Sequence, residues 1–481
     1  MTRITKTAVT VATGVTLLAG PALAQAPDRS GPPPLGPTPK LMLPAVDERV
    51  LTNGLRVWIV EKHAVPVVQV NLIVRAGSGA DPASRFGLAS LTAAMLDEGA
   101  AGKDALAVAD AVDFLGAELT TASSFDASVV NLHVPVARLA PALSIMADVA
   151  LRPSFAQADL DRLREERLTS LKQAKDSPPA IAAAAFPLLV YGPSHRYGIG
   201  TAGTEETLRA FTPADLRDFH ARYYRPDDAA LVVVGDVTPD AVLVELERAF
   251  GAWRATGPGP EMPAVATAPE PEPRAVYLVD KPGAAQSVIR IGWAGVPRST
   301  PDYFALEVLN TVLGGSFTSR LNQNLREQHG YAYGAGSGFD MRLGAGPFLA
   351  TASVQTDKTA EAITEFFKEL EGIRQPVPAG ELEKAKNYVA LSYPGQFETT
   401  RGIAGQLGEQ IVYGLPRDYF STYIDRIQAV TADDVARAAA KYITPDRFAV
   451  VVVGDRQAIL EKIEALKLGP VKVLSVDDVV R

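Results

Sequence analysis

The stretch Gly87-Leu88-Ala89-Ser90-Leu91-Thr92-Ala93-Ala94-Met95-Leu96 decides how this chain is read. It follows two β-rich runs, Leu55 to Val60 and Val67 to Ala76, separated by a short polar turn around His63. At Gly87 the apolar spacing switches from strand-like to helical, and the pattern holds to Asp97. The helix carries no imidazole and no carboxylate between Gly87 and Leu96. It is a helix frame without a metal ligand or a base.

Outward from that helix the chain alternates. Ala105 to Leu115 reads as a helix, Ala127 to Val136 as a strand and Leu160 to Lys175 as a long charged helix. Thr212 followed by Pro213 is an N-cap with proline at the first helical position, opening a helix to Tyr223. Ala230 to Val234 is a buried strand stopped by Gly235-Asp236.

The chain also repeats itself. Val57-Trp58-Ile59-Val60-Glu61-Lys62 matches Val276-Tyr277-Leu278-Val279-Asp280-Lys281, and Val232 to Asp236 matches Val451 to Asp455, both 219 residues on. Thr212-Pro213-Ala214-Asp215 matches Thr431-Ala432-Asp433-Asp434, and Tyr223 matches Tyr442, at the same offset. One offset held at both ends of so long a segment predicts two copies of one domain. Ala255 to Arg274, with six prolines, is the connection between them. The expected organisation is residues 1–24 as a signal peptide, 25–44 as a proline-rich tether, 45–254 as the first domain, 255–274 as a linker and 275–470 as the second domain.

Composition bounds the function. Of 481 residues, 47% are hydrophobic and 21% charged, a globular balance with room for more than one core. Arg3 and Lys6, the apolar run Ala8 to Gly20 and the Ala22-Leu23-Ala24 cleavage pattern read as secretory. The apolar run is shorter than the roughly 20 residues of a membrane span, and Pro21 interrupts it. The expected location is periplasmic or secreted, after cleavage near Ala24. Residues 1–24 hold two bases and no acids, so the remaining chain has 45 bases against 55 acids, which argues against a nucleic-acid partner. The absence of cysteine removes disulfides and thiolate zinc sites. His63, His133, His195, His220 and His329 include no pair four residues apart and read as surface or satisfied core side chains. Asp97-Glu98 reads as a solvated helix end, and Gly334 to Gly338 as a turn or strand bend without the lysine of a phosphate loop.

Gly87 to Leu96 resembles the active-site helix of the pitrilysin/insulinase-like zinc metallopeptidases, which reads Gly-Leu-Ala-His-x-x-Glu-His-Met-Leu. There two histidines one turn apart hold zinc and the glutamate activates water. At those three positions this chain has Ser90, Ala93 and Ala94. The family's third ligand is a glutamate on a later helix. The corresponding count lands near Thr169-Ser170-Leu171, with Glu165 and Glu166 out of register.

The segment Gly314 to Phe339, GGSFTSRLNQNLREQHGYAYGAGSGF, resembles the second-domain signature of the same family. The resemblance implies that Arg326 and Tyr333 bind the substrate backbone opposite the zinc. Spacing alone favours Arg326 paired with Glu327 or another acid on a solvated helix and Tyr333 in a sheet core. The words Ser319-Arg320-Leu321 and Leu325-Arg326-Glu327 favour substrate binding.

The resemblance implies an α+β fold of two homologous domains, each a mostly antiparallel sheet with packed helices, forming a half-clamshell. It implies a non-catalytic subunit with no cofactor of its own. Zinc would sit only in a homologous partner chain, and a peptide would be the substrate. The alternative is a peptidase-fold scaffold or binding protein without a proteolytic role.

Overall fold

Two six-stranded sheets form the frame of the computed structural model, which describes residues 41, 43–255, 257–261, 265–270 and 272–481. The expected signal peptide and nearly all of the tether lie outside the described residues, as do parts of the linker. The first sheet runs Asp47–Val50, Arg56–Glu61, Ala229–Gly235, Val67–Val74, Ser128–Pro135, Glu118–Ser123. The second repeats that order as Val471–Leu474, Ala275–Asp280, Ala449–Gly454, Gln286–Ala294, Pro347–Gln355, Ala332–Phe339. In each, one central pair is parallel and the three pairs leading to the far edge are antiparallel.

The repeat in sequence is a repeat in register. Trp58 faces Val232, and Tyr277 faces Val451. Gln69 faces Val234, and Val288 faces Val453. Each of these second-sheet residues lies 219 positions after its counterpart. The halves differ at one outer edge. Asp47–Val50 runs antiparallel to its neighbour, whereas Val471–Leu474, from the end of the chain, runs parallel.

Apolar β-branched runs explain the centres of the sheets. Every residue of Ala229–Gly235 is buried, as a strand covered on both faces requires. One helix from each half supplies a cover for the other half. Pro178–Tyr191 packs on the second sheet, with Ile181, Ala185 and Phe186 against Val288, Val451 and Val453. Thr400–Tyr413 packs on the first, with Ile403, Ala404 and Leu407 against Ile73, Ala230 and Val232. Each large side chain buried this way contributes roughly 1.5–3 kcal/mol. The described residues accordingly fall in one compact unit. Polar bonds tie the halves as well: Asp126 accepts from Leu343 N and from the Tyr413 hydroxyl, both at 3.1 Å.

Candidate functional site

Helix Leu88–Ala94 starts at Gly87, whose φ of 101° and contact with Ala202 O, 2.7 Å from any added Cβ, admit only glycine. Asp81 holds this start, accepting from Gly87 N and Ala89 N at 2.8 Å each. Arg196 lies 3.4 Å from the same carboxylate and against the rings of Phe86 and Phe125. Burial pushes the Asp81 carboxyl up to about 6, against the pull of Arg196 and of the helix N–H groups. Leu88, Ala89, Leu91, Thr92 and Ala93 are buried, and Ser90 and Ala94 are partly exposed one turn apart.

No metal fits this helix. Ser90, Ala93 and Ala94 present a hydroxyl and two methyls. On the long helix Gln157–Ala174, Glu165 is exposed, and Glu166 turns along its own surface to Arg162 at 2.7 Å. Arg167, which the count from Ala94 did not single out, instead reaches the helix and donates from Nη2 to Ser90 O at 2.9 Å. Burial draws its pKa down to about 10, with no carboxylate opposing the shift, and its Nη1 is buried without an acceptor. A cation therefore lies against the frame where the family's ligands would converge. Among the described residues no three His, Asp or Glu side chains group as a metal site requires.

The other candidates have ordinary partners. His63 bonds Asp236 and Glu61, His133 bonds Gln69, and His195 and His220 bond backbone carbonyls. His329 lies 3.8 Å from Glu365. Asp97 and Glu98 are less solvated than a helix end implies. Burial raises the Asp97 pKa beside Thr121, and Glu98 pairs with Arg162.

Arg326 and Tyr333 come together in the second half. Arg326 stands on the π-helical turn Gln323–Gln328, and Tyr333 near the start of the edge strand Ala332–Phe339. The register of that strand shifts between Ala332 and Ala335, which is where the Gly334 region bends. Tyr333 is 90% exposed, so it is not sheet core. The Arg326 guanidinium carbon is 5.3 Å from the Tyr333 ring centre and 4.6 Å from that of Phe317, and Nε is 3.3 Å from Glu327. Asn322 fixes the surroundings, donating to Phe317 O at 2.6 Å and accepting from Ala335 N at 3.2 Å. Asn322 lies within Gly314 to Phe339, where its spacing carries no signal of this role.

Two family descriptions match the chain: Insulinase (Peptidase family M16) over residues 56–189 and Peptidase M16 inactive domain over residues 210–389. The chain belongs to the M16 peptidase family. It is 25% identical over 397 residues to the uncharacterized zinc protease YmxG of Bacillus subtilis, covering 82% of this chain and 95% of that one. It is 27% identical over 406 residues to the uncharacterized zinc protease Mb2805c of Mycobacterium bovis, covering 84% and 92%. A solved peptidase M16 inactive domain from Pseudomonas fluorescens superposes with a TM-score of 0.79 at 27% identity, covering 85% of this chain and 98% of that one. A protease structure from Helicobacter pylori, at 21% identity and TM-score 0.77, shares the fold over 85% of this chain and all of that one.

Proposed function

We propose that this chain is the non-catalytic subunit of a two-chain zinc peptidase of the periplasm, closing the chamber and binding peptide through Arg326 and Tyr333. The observation that carries the reading is the contrast between the halves. Arg167 stands against a helix without metal ligands, while Arg326 and an exposed Tyr333 lie side by side. The planar guanidinium offers paired N–H donors to the carbonyls of an extended peptide. The phenol donates to the oxygen on which charge develops during attack at the neighbouring carbonyl. Ala332–Phe339 is an edge strand, but its Ala335 and Ser337 N–H groups are already bonded to Asn322 Oδ1 and Gly314 O, so in this reading the peptide is held by the side chains of Arg326 and Tyr333. The zinc-bound water belongs to the partner in this reading.

The test mixes the purified chain with a zinc-bearing homologue from the same cell and follows cleavage of a fluorogenic peptide. Cleavage by the pair, with none by this chain alone, supports the proposal. Full cleavage by the homologue alone, unchanged on mixing, favours a scaffold or binding protein without a proteolytic role.

A further inference from the structure

The second half contains a polar cleft of about 530 Å³ that the peptidase role leaves unused. It lies where the duplication places the counterpart of the family's zinc cleft. Helix Tyr303–Leu313 supplies Thr311, which stands 219 residues after Thr92. Helix Ala379–Ser392, which supplies Glu381 and Lys384, follows the helix Gln157–Ala174 at a similar separation. In the first half Arg167 reaches across to the shorter helix, whereas in the second the space between the helices is open.

The charges in the cleft do not all cancel. Arg320 donates from Nε and Nη2 to Glu381 at 2.9 and 2.6 Å, a closed pair. Glu369 has no cation within ion-pair distance among the described residues. Its contact is Asn324, whose Nδ2 donates to Glu369 and to Glu365 at 2.7 Å each. Lys384 has no carboxylate within ion-pair distance among the described residues, and bonds only Thr318 O at 3.4 Å. Asn324 is 2% exposed, and its Oδ1 has no donor. The amide cannot turn over to find one, because its oxygen would then face two carboxylates. A buried acceptor left in this way is destabilising, because its desolvation is not offset.

An acceptor without a donor beside an uncompensated carboxylate calls for a cation with several N–H groups. A primary ammonium has three. Lys384, on the helix opposite, is free to take a carboxylate. We propose that this cleft binds the α-ammonium end of a small zwitterion, either a free amino acid or the N-terminus of a short peptide, on Glu369 and Asn324, with its carboxylate toward Lys384. The volume is in the range of small-molecule sites. The proposal does not rest on the peptidase reading, because neither Arg326 nor Tyr333 lines the cleft.

Titration calorimetry of the purified chain tests it with four probes: alanine, trialanine, N-acetyl-trialanine and trialanine amide. Binding of alanine or trialanine is expected, and which of them binds separates the two sources. N-acetylation should abolish binding. Glu369→Gln should weaken it at least about tenfold, the scale of one charge-assisted bond. Lys384→Ala, at an exposed side chain, should weaken trialanine more than trialanine amide and so tests the site independently of any folding defect in the first variant. No binding of alanine or trialanine at millimolar concentration overturns the proposal. So does equal binding of the acetylated peptide, or unchanged affinity in a folded Glu369→Gln chain.

Discussion

Arg326 lies with its guanidinium carbon 5.3 Å from the ring centre of Tyr333, and Tyr333 is 90% exposed. An exposed cation–π contact of this kind is worth about 0.5–1 kcal/mol. Tyr333→Phe keeps the ring and should leave thermal unfolding unchanged. Arg326→Ala should lower Tm by no more than a few degrees, as roughly 1 kcal/mol would. Calorimetric melting of both variants checks this. A large drop for Tyr333→Phe would mean that its hydroxyl supports the fold.

Arg167 donates to Ser90 O, so restoring the ligands alone should not restore zinc. The chain with Ser90→His, Ala93→Glu and Ala94→His is expected to hold zinc weakly, because a buried cation repels the ion. Adding Arg167→Glu removes that charge and supplies a third ligand, an oxygen beside the two imidazole nitrogens, giving about one zinc per chain. Metal analysis after dialysis compares the two. Tight zinc in the triple variant, with Arg167 intact, would show that the guanidinium is no obstacle.

Asp81 should titrate near pH 6, from burial opposed by Arg196 and the N–H groups at the start of helix Leu88–Ala94. Its folded pKa exceeds the unfolded value of about 3.9, so the folded chain binds this proton more tightly. On this group alone, stability falls as pH rises from about 4 to about 6 and is then level. In Arg196→Gln the lowering influence is gone and the midpoint should rise. Carbon-detected NMR of the Asp side chains follows it. A midpoint below 4 would place the hydrogen bonds above burial.

The two halves carry the same capping box at equivalent sites, Thr212 with Asp215 and Thr431 with Asp434. Thr212→Ala and Thr431→Ala should each cost about 1 kcal/mol. Backbone and side-chain bonds from Thr431 hold the Asp434 carboxyl below its ordinary range. That contribution is present above the unfolded pKa and is lost as pH falls through the folded one. The stability gap between the parent and Thr431→Ala should therefore narrow in acid. Urea melts at neutral and acid pH measure it, and a gap that widens in acid would contradict the assignment.

The duplication, the central strands and the capped helices were legible because each rests on local pattern. Thr212-Pro213 and Val232 to Asp236 needed no partner to be recognised. Edge strand Glu118–Ser123 was not seen, since its sequence, ELTTAS, has no apolar run. The exchange of helices was also hidden. Pro178–Tyr191 is apolar all round, which leaves no periodicity to show which sheet it covers. Arg167 escaped a count along the sequence because a long side chain spans a helical turn. The exposure of Tyr333 depends on a register shift that spacing does not encode.

The most direct test of the central claim is peptide turnover by the pair reconstituted from this chain and a zinc-bearing homologue, comparing the parent with Arg326→Ala and Tyr333→Phe. Loss of one donor to the transition state lowers kcat roughly 10²–10³-fold. We expect that loss in both variants, with assembly intact by light scattering. Parental turnover in both would contradict the account and leave Arg326 and Tyr333 as surface residues of a scaffold.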